Sequence, residues 1–499
     1  MNTLAIIKFE EDLRSMHKKL VSAKKDCFLA DDRIVIEQTQ EDEYRFVDAP
    51  GSKITDIQKL VKKLDITNCF ILIRTANQNI KNEVEDVAKY YAPGDQTVFD
   101  YEIVPGTYNK KVKKYTNTAC KKMWNHLYIG TDSNVNPCCL ADHRFPIGNL
   151  TNSSVHDIIT SDNANQIRAN MKQGFRVRAC AHCYDREDQN LKSGRGSFDP
   201  TDDEKIQITN LDIRLSNVCN FKCRSCSEYF SSAIQKETVE LYGKDAVLGA
   251  EENSLIAKTK NDKLNDFKKI QPYLNDHIKS IYFAGGEPLI MHEHYEILSH
   301  LLKHKLTSVD LSYNTNLSKL QYKNLSVLDI WKNFDNVSVG ASIDASGKVA
   351  EYLRHGTIWS EILENLDSIK TQTPHVNLII ESTVGFLNVE NLIKLQKQWI
   401  DSEYFTIDQL NVRICNGDLL NPAVPPEKYK IILNKKITNH VKYLGKCTLA
   451  QQWKDVLKYM MNNDYSDNLN HFSQRMQTLD NHRSESFADT FPEFADLLH

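Results

Sequence analysis

The sequence predicts an α/β chain built on a partial (β/α)6 barrel. A cysteine-rich segment and a small N-terminal α/β unit precede the barrel. Three observations predict this. Apolar runs of strand length recur at residues 213–215, 281–283, 309–311, 337–339, 378–380 and 410–414. Amphipathic stretches such as 294–302 and 389–399 separate them, and strands alternating with helices imply βαβ units around a parallel sheet. Eight of the twelve cysteines crowd between Cys120 and Cys226. In a reducing compartment that crowding argues for metal rather than disulfides.

Residues 1–110 read as the small α/β unit. Leu13, Met16 and Leu20 share one helical face. Ile54, Ile57, Leu60, Val61 and Leu64 make a second helix after Pro50-Gly51, and Ile80, Val84, Val87 and Tyr91 a third, ended by Pro93-Gly94. Strand signals lie at 34–36 and 69–73. No catalytic constellation occurs here, so a structural or partner-binding role is expected.

Residues 111–195 hold the first cysteine group. Cys120 precedes a hairpin with residues 127–129 and Val135 on its arms. Residues 132–134 form its turn, where Asn134 takes the positive φ. Cys138 and Cys139 follow on the return arm; neighbours on a strand point to opposite faces, so one of the two is a ligand candidate. Cys180 and Cys183, in CAHC, supply a two-ligand corner. The pieces can close a four-cysteine site of zinc-ribbon or iron–sulfur type, and spacing alone does not choose between them.

Residues 196–417 are the barrel. Its first strand opens into a loop carrying Cys219, Cys223 and Cys226. Three thiolates at this spacing grip one face of a [4Fe–4S] cluster and leave one iron open to an exogenous ligand. A zinc knot needs a fourth Cys or His close by, and after Cys226 none comes before His277. Chemistry in such barrels sits at the carboxyl ends of the strands. AGGEP after the second strand, YNTN after the third and ASID at the fourth fall there. The stretch 228–275 is Lys/Glu-rich and mainly helical, interrupted at Gly243 and Gly249. Residues 418–499 are polar and mainly helical, with a terminal run of Phe and Leu suited to dock on the barrel.

The 62 basic and 66 acidic side chains leave a net charge of -4, which gives no support to nucleic-acid or acidic-membrane binding. No run approaches the roughly 18 apolar residues of a membrane span. The N-terminus lacks the pattern of a secretory signal, so a cytoplasmic location is expected.

Assembled in this order, the motifs of residues 115–499 resemble a radical S-adenosylmethionine (SAM) protein of the SPASM/twitch group. The resemblance rests on CNFKCRSC and FAGGEPL, supported by LSYNTNLS, VGASIDASGKVAEYLRHG and LDNHRSESF. It implies a TIM-like radical SAM barrel preceded by a twitch auxiliary-cluster domain. Cys219, Cys223 and Cys226 would hold a [4Fe–4S] cluster whose open iron chelates SAM. An electron from that cluster would yield a 5′-deoxyadenosyl radical. Gly285 and Gly286 would let the backbone approach the SAM amine, with Glu287 positioning that end. Ser342, Asp344 and Arg354 would contact ribose and carboxylate, and Asn314, Thr315 and Asn316 would belong to the pocket. The resemblance also makes Cys120, Cys138, Cys180 and Cys183 the ligands of a second, auxiliary [4Fe–4S] cluster. It prefers Cys138 because VNPC fits the VxPC pattern. A flavodoxin- or ferredoxin-type electron donor is implied.

The chain departs from the family's pattern in three respects. Ser225 stands where a large apolar residue precedes the third cysteine, so packing on the adenine would fall to Phe221 or Tyr229. Asn134 replaces the hairpin glycine. The auxiliary segment precedes the barrel rather than following it. The implied activity is radical oxidation or cross-linking of a substrate, foremost a peptide or protein side chain. Alternatives are a sugar, aminocyclitol or nucleotide-derived small molecule, or a non-catalytic iron–sulfur binding module.

Overall fold

A computed structural model describes residues 5–8, 26–30, 33–37, 118–143, 145–188, 193–195, 205–246, 266–415 and 419–498. The three helices expected before residue 95 and the strand expected at 69–73 lie outside the described residues, as does Gly249. Near the N-terminus, β1 (Ala5–Lys8), β2 (Asp26–Ala30) and β3 (Arg33–Glu37) form an antiparallel sheet with β3 in the middle. The strand expected at 34–36 is thus β3.

The chain divides into two compact units, residues 1–127 with 135–207, and residues 128–134 with 208–499. In the smaller unit, α1 (Asp162–Lys172) starts where the Ser161 hydroxyl accepts the Ala164 N–H at 3.1 Å, an N-cap worth about 1 kcal/mol. Ile167 and Met171 on α1 are buried with Trp124, Leu127 and Ile158. A 3-10 turn, Arg178–Cys180, runs directly into α2 (Ala181–Asp188), so Cys180 and Cys183 sit at the start of one helix.

The hairpin's arms are β4 (His126–Ile129) and β5 (Asn134–Asn136). Two details differ from expectation. The positive-φ residue is Ser133 (φ 67), not Asn134. The Asp132 carboxylate accepts both the backbone and side-chain N–H groups of Asn134, which holds that residue in the strand and moves the left-handed position one place back. β5 also ends at Asn136, so Cys138 and Cys139 occupy the turn that follows rather than the strand.

The larger unit is built on six parallel strands paired in sequence order: β6 (Asn210–Ile213), β7 (Ser280–Phe283), β8 (Asp310–Thr315), β9 (Val337–Ser342), β10 (Asn377–Val384) and β11 (Leu410–Ile414). β6 starts and ends earlier than the apolar run 213–215 suggests. Beyond Ile213, the Arg214 N–H donates to Ile129 O at 2.9 Å while the chain leaves the sheet for the cysteine loop. β8 runs later, to Thr315, because its pairing with β9 continues through Asn314 and Thr315, so most of YNTN is strand.

Period-two alternation divides the sheet's two faces. One is apolar, with Ile213, Phe283, Tyr313, Val339 and Leu378 in adjoining register, all buried. Helices supply matching apolar stripes: Ile297, Leu298 and Leu301 of α4 (His292–Lys303), Leu366 and Ile369 of α6 (Trp359–Gln372), and Leu392, Leu395 and Trp399 of α7 (Val389–Asp401). The other face is polar, with Asp212, Tyr282, Ser312, Ser338 and Asn377 in register. Between β7 and α6 run α4 and the short α5 (Gly347–Leu353); α3 (Ser232–Tyr242) follows the cysteine loop. The C-terminal helices are α8 (Glu427–Leu444), α9 (Thr448–Asn462), α10 (Leu469–Arg483) and α11 (Phe487–Thr490). Among the described residues, no helix is long and apolar enough to cross a membrane.

Candidate functional site

The cysteine loop begins where β6 ends and is fastened at several points. Ser216 is fully buried; its carbonyl accepts the Gly286 N–H at 3.3 Å, and Val218 O accepts the Glu287 N–H at 2.7 Å. This approach explains the paired glycines. A β-carbon on Gly286 would stand 2.1 Å from Val218 O, and Gly285 has φ +111, a conformation that glycine adopts without strain. Further along, Lys222 and Cys223 pair antiparallel with His355 and Arg354. The Arg224 N–H donates to Leu353 O at 2.8 Å, and the Cys226 N–H turns back to Cys223 O at 3.1 Å.

Cys219, Cys223 and Cys226 are free thiols close enough for their charges to act on one another. Burial pushes all three thiols up, Cys226 to about 12. Against this, the Arg354 guanidinium pulls Cys223 down; its Nη1 lies 3.9 Å from Cys223 Sγ. Arg354 is itself anchored by Asp344, whose Oδ2 accepts its Nε–H at 2.7 Å. Asp344 Oδ1 accepts the Thr383 N–H at 2.7 Å, and Asp344 O accepts from the Asn388 amide at 2.9 Å.

Glu287 is 1% exposed, and its carboxylate already serves three donors: Thr315 Oγ1 at 2.6 Å, Asn316 N at 2.6 Å and Leu289 N at 3.0 Å. Burial pushes it up to about 7, with those donors pulling back. Glu287 therefore ties the end of β7 to the end of β8. Asn316, two residues beyond Asn314, reaches the cysteine loop through Asn220 Oδ1 at 3.0 Å. Asn314 and Ser342 instead lie on the polar sheet face, Asn314 exposed there. Phe221 is 1% exposed, packed where Gly356 leaves room for it, and Tyr229 donates to Asp132 Oδ1. Phe221 is thus enclosed in the packing of the loop, while Tyr229 is half-buried and held by its hydroxyl.

A small cleft opens beside the loop, lined by Ser225, Asp344, Thr383, Gly385, Asn388 and Cys415 among others. The segment after β10 was missed at the level of sequence. The signal available was Gly385 directly after a strand, where a β-carbon would meet Leu420 O at 2.4 Å.

In the smaller unit, Cys120, Cys138, Cys180 and Cys183 are buried cysteines whose charges interact, whereas Cys139 is exposed. Burial pushes Cys138 up to about 12 and Cys180 well above the thiol range, and the neighbouring thiols add to both. Arg195 supplies the opposing charge. It pairs with Glu187 at 2.6 Å and donates to Ala119 O, next to Cys120, at 2.8 Å.

Among the described residues, no three His, Cys, Asp or Glu side chains stand at metal-holding spacing. The donor chemistry nevertheless suits iron. Thiols that oppose one another's ionisation, buried in the smaller unit and half-buried to exposed in the loop, are reconciled by a bound cationic cluster, whose assembly releases their protons.

The family model of the Radical SAM superfamily matches residues 213–395, and that of SPASM, an iron-sulfur cluster-binding domain, matches residues 120–184. The fold and these two matches define an iron–sulfur protein with a partial parallel barrel. The chain carries a Radical SAM domain at residues 213–395 and a SPASM iron–sulfur cluster-binding domain at residues 120–184. Its domains imply a SAM-binding [4Fe–4S] cluster and auxiliary iron–sulfur chemistry, with SAM as the small-molecule cofactor.

Similar solved structures include anSMEcpe with bound AdoMet, at 18% identity and TM-score 0.32, covering 47% of this chain and 57% of that one. Another is Streptococcus suis SuiB bound to precursor peptide SuiA, at 16% identity and TM-score 0.31, covering 60% and 57%. The chain thus spans less than two thirds of the length of these two structures. No curated protein matches it.

Proposed function

We propose that this protein cleaves SAM reductively at the Cys219–Cys226 loop and oxidises or cross-links a substrate, foremost a peptide or protein side chain. One observation carries the substrate side of the reading. A parallel sheet is ordinarily covered on both faces. Here the face opposite the helices is polar, and Asn314, Asn377 and Arg413 on it are exposed among the described residues. Glu381, on the same face, accepts from Arg413 at 2.9 Å and from Asn411 at 3.4 Å. Such a surface offers donors and acceptors to a polar chain laid across the strands.

Cys219, Cys223 and Cys226 would hold the SAM-binding cluster, and Cys120, Cys138, Cys180 and Cys183 the auxiliary one. When bound, the cluster with SAM supplies an electron that splits the sulfonium bond and a 5′-deoxyadenosyl radical that takes hydrogen from substrate. The chain's own residues prepare the place. Arg354 sets positive charge against Cys223, and Gly285-Gly286 let the backbone close on the loop. Asp344 holds Arg354 and the β10 end together, while Ser342 and Asn314 face the polar surface. A flavodoxin- or ferredoxin-type donor would deliver the electron, in the cytoplasm.

The test is direct. Reconstituted protein incubated with SAM and dithionite is expected to release 5′-deoxyadenosine, and a candidate peptide to lose a hydrogen pair by mass. Fully loaded protein that never cleaves SAM overturns the reading. Cleavage coupled only to a sugar or nucleotide-derived compound replaces the peptide with that small molecule.

A further inference from the structure

Arg224 lies inside the cysteine loop, between Cys223 and Cys226, yet its side chain is 0% exposed and points away into the C-terminal helices. Its Nη2 donates to Asp480 Oδ1 and to Glu485 Oε2, each at 2.6 Å. Its Nε donates to Tyr352 O at 3.2 Å, and the guanidinium lies 3.7 Å from the centre of the Tyr352 ring. The acceptors are held in turn. Asp480 Oδ1 also accepts the Tyr352 hydroxyl at 2.7 Å, and Asp480 Oδ2 accepts the Phe487 N–H at 2.6 Å. Glu485 Oε1 lies 2.7 Å from His355 Nδ1, and His355 pairs with Lys222 of the loop. The chain between the two acids turns sharply at Ser484, whose φ is 55, so that both carboxylates meet one guanidinium.

A second set of charges runs parallel to the first. Lys222 donates to Glu237 of α3 at 2.9 Å, and Arg483 grips the same carboxylate through 2.9 and 2.6 Å bonds. The residues on either side of Cys223 are therefore each connected by ionic bonds to the segment 480–487. Burying these charges costs more solvation than apolar packing would, so their use here points to register rather than bulk stability.

We propose that residues 480–487 form a clasp that sets the Cys223–Cys226 turn, with Arg224, Asp480 and Glu485 as positioning residues for the thiols. The assignment rests on the reading of that loop as the SAM-cluster site, but its test does not depend on SAM chemistry. In the metal-free full-length protein, alkylation of Cys223 by a small thiol reagent is followed by peptide mass spectrometry, with buried Cys415 as internal reference. Asp480→Asn combined with Glu485→Gln keeps side-chain volume and removes both charges. It is expected to speed Cys223 alkylation about tenfold, the factor that losing a hydrogen bond to a charged group yields, with Cys415 unchanged.

In the loaded protein, the same variant is expected to lose iron from the loop to a chelator faster. The electron paramagnetic resonance signal of its reduced cluster should also broaden when SAM is added. Arg224→Lys, which keeps the charge, should restore part of the protection that Arg224→Ala loses. Should the double variant fail to fold, Glu485→Gln alone is used, since Asp480 remains to hold Arg224. A folded variant whose Cys223 reacts at the wild-type rate overturns the clasp, whatever the protein does with SAM. Rapid alkylation in a protein that never cleaves SAM keeps the clasp and removes the catalytic reading.

Discussion

At Gly286 the loop and the second strand approach so closely that one atom decides the outcome. The β-carbon of Gly286→Ala would stand 2.1 Å from Val218 O, against backbone that Glu287 N–H already holds at 2.7 Å. Neither side can retreat without breaking that bond. The variant is expected to fold its distant helices yet load about half the iron of wild type, with stability lower by roughly 1–3 kcal/mol; iron analysis and thermal melting measure both. A wild-type iron content would show that the approach is not needed. The glycines were legible in the sequence because their pattern is local, and so were the thiols. The particular role of Asn316 was not. It depends on β8 running to Thr315, which places Asn314 on the open face and turns Asn316 toward Asn220. A shift of two residues in a strand end is a matter of tertiary pairing, which local pattern does not record. The same holds for Ser133, whose positive φ is imposed by the bonds Asp132 makes to its neighbour.

The six barrel strands were readable as elements because their buried apolar residues recur in short runs of Ile, Val, Leu, Phe and Tyr that face helices. Their ends were less readable, since polar residues such as Asp212 and Ser312 belong to the strands but face away from the core. The charges between α3 and α10 were not readable at all, because Glu237 and Arg483 are 246 residues apart. Both are about 2% exposed. Burial alone would raise the Glu237 carboxyl, but the bonds from Arg483 and Lys222 outweigh it and hold the group at about 2. A carboxyl depressed on folding contributes stability above its unfolded value, near 4.5, and loses it as pH falls toward about 2. Arg483→Gln should therefore destabilise the protein by on the order of 3 kcal/mol at neutral pH. The difference from wild type should narrow as pH drops through that window. Denaturant titrations at several pH values measure the gap; a gap that is constant or widens with acid would mean Glu237 does not carry it.

At the scale of the whole molecule, the chain places two thiol groups in two compact units, with the auxiliary segment ahead of the barrel in sequence. Under the proposed assignment of clusters, this division separates loss of one cluster from loss of the other. Cys180 is buried with Cys120, Cys138 and Cys183 in the smaller unit, whereas the loop thiols belong to the larger. Wild type is expected to carry about eight irons and eight sulfides per chain, and Cys180→Ala about four of each. Because the loop is intact in that variant, 5′-deoxyadenosine should still form, while substrate product falls by at least about tenfold for want of an acceptor for the substrate's electron. Cys223→Ala should do the reverse, keeping the auxiliary iron and abolishing SAM cleavage altogether. Iron and sulfide analysis beside chromatography of 5′-deoxyadenosine and product distinguishes the two patterns. Full product from Cys180→Ala would leave the smaller unit a structural role, and equal loss of both irons in either variant would mean that the two units do not fold around their clusters independently.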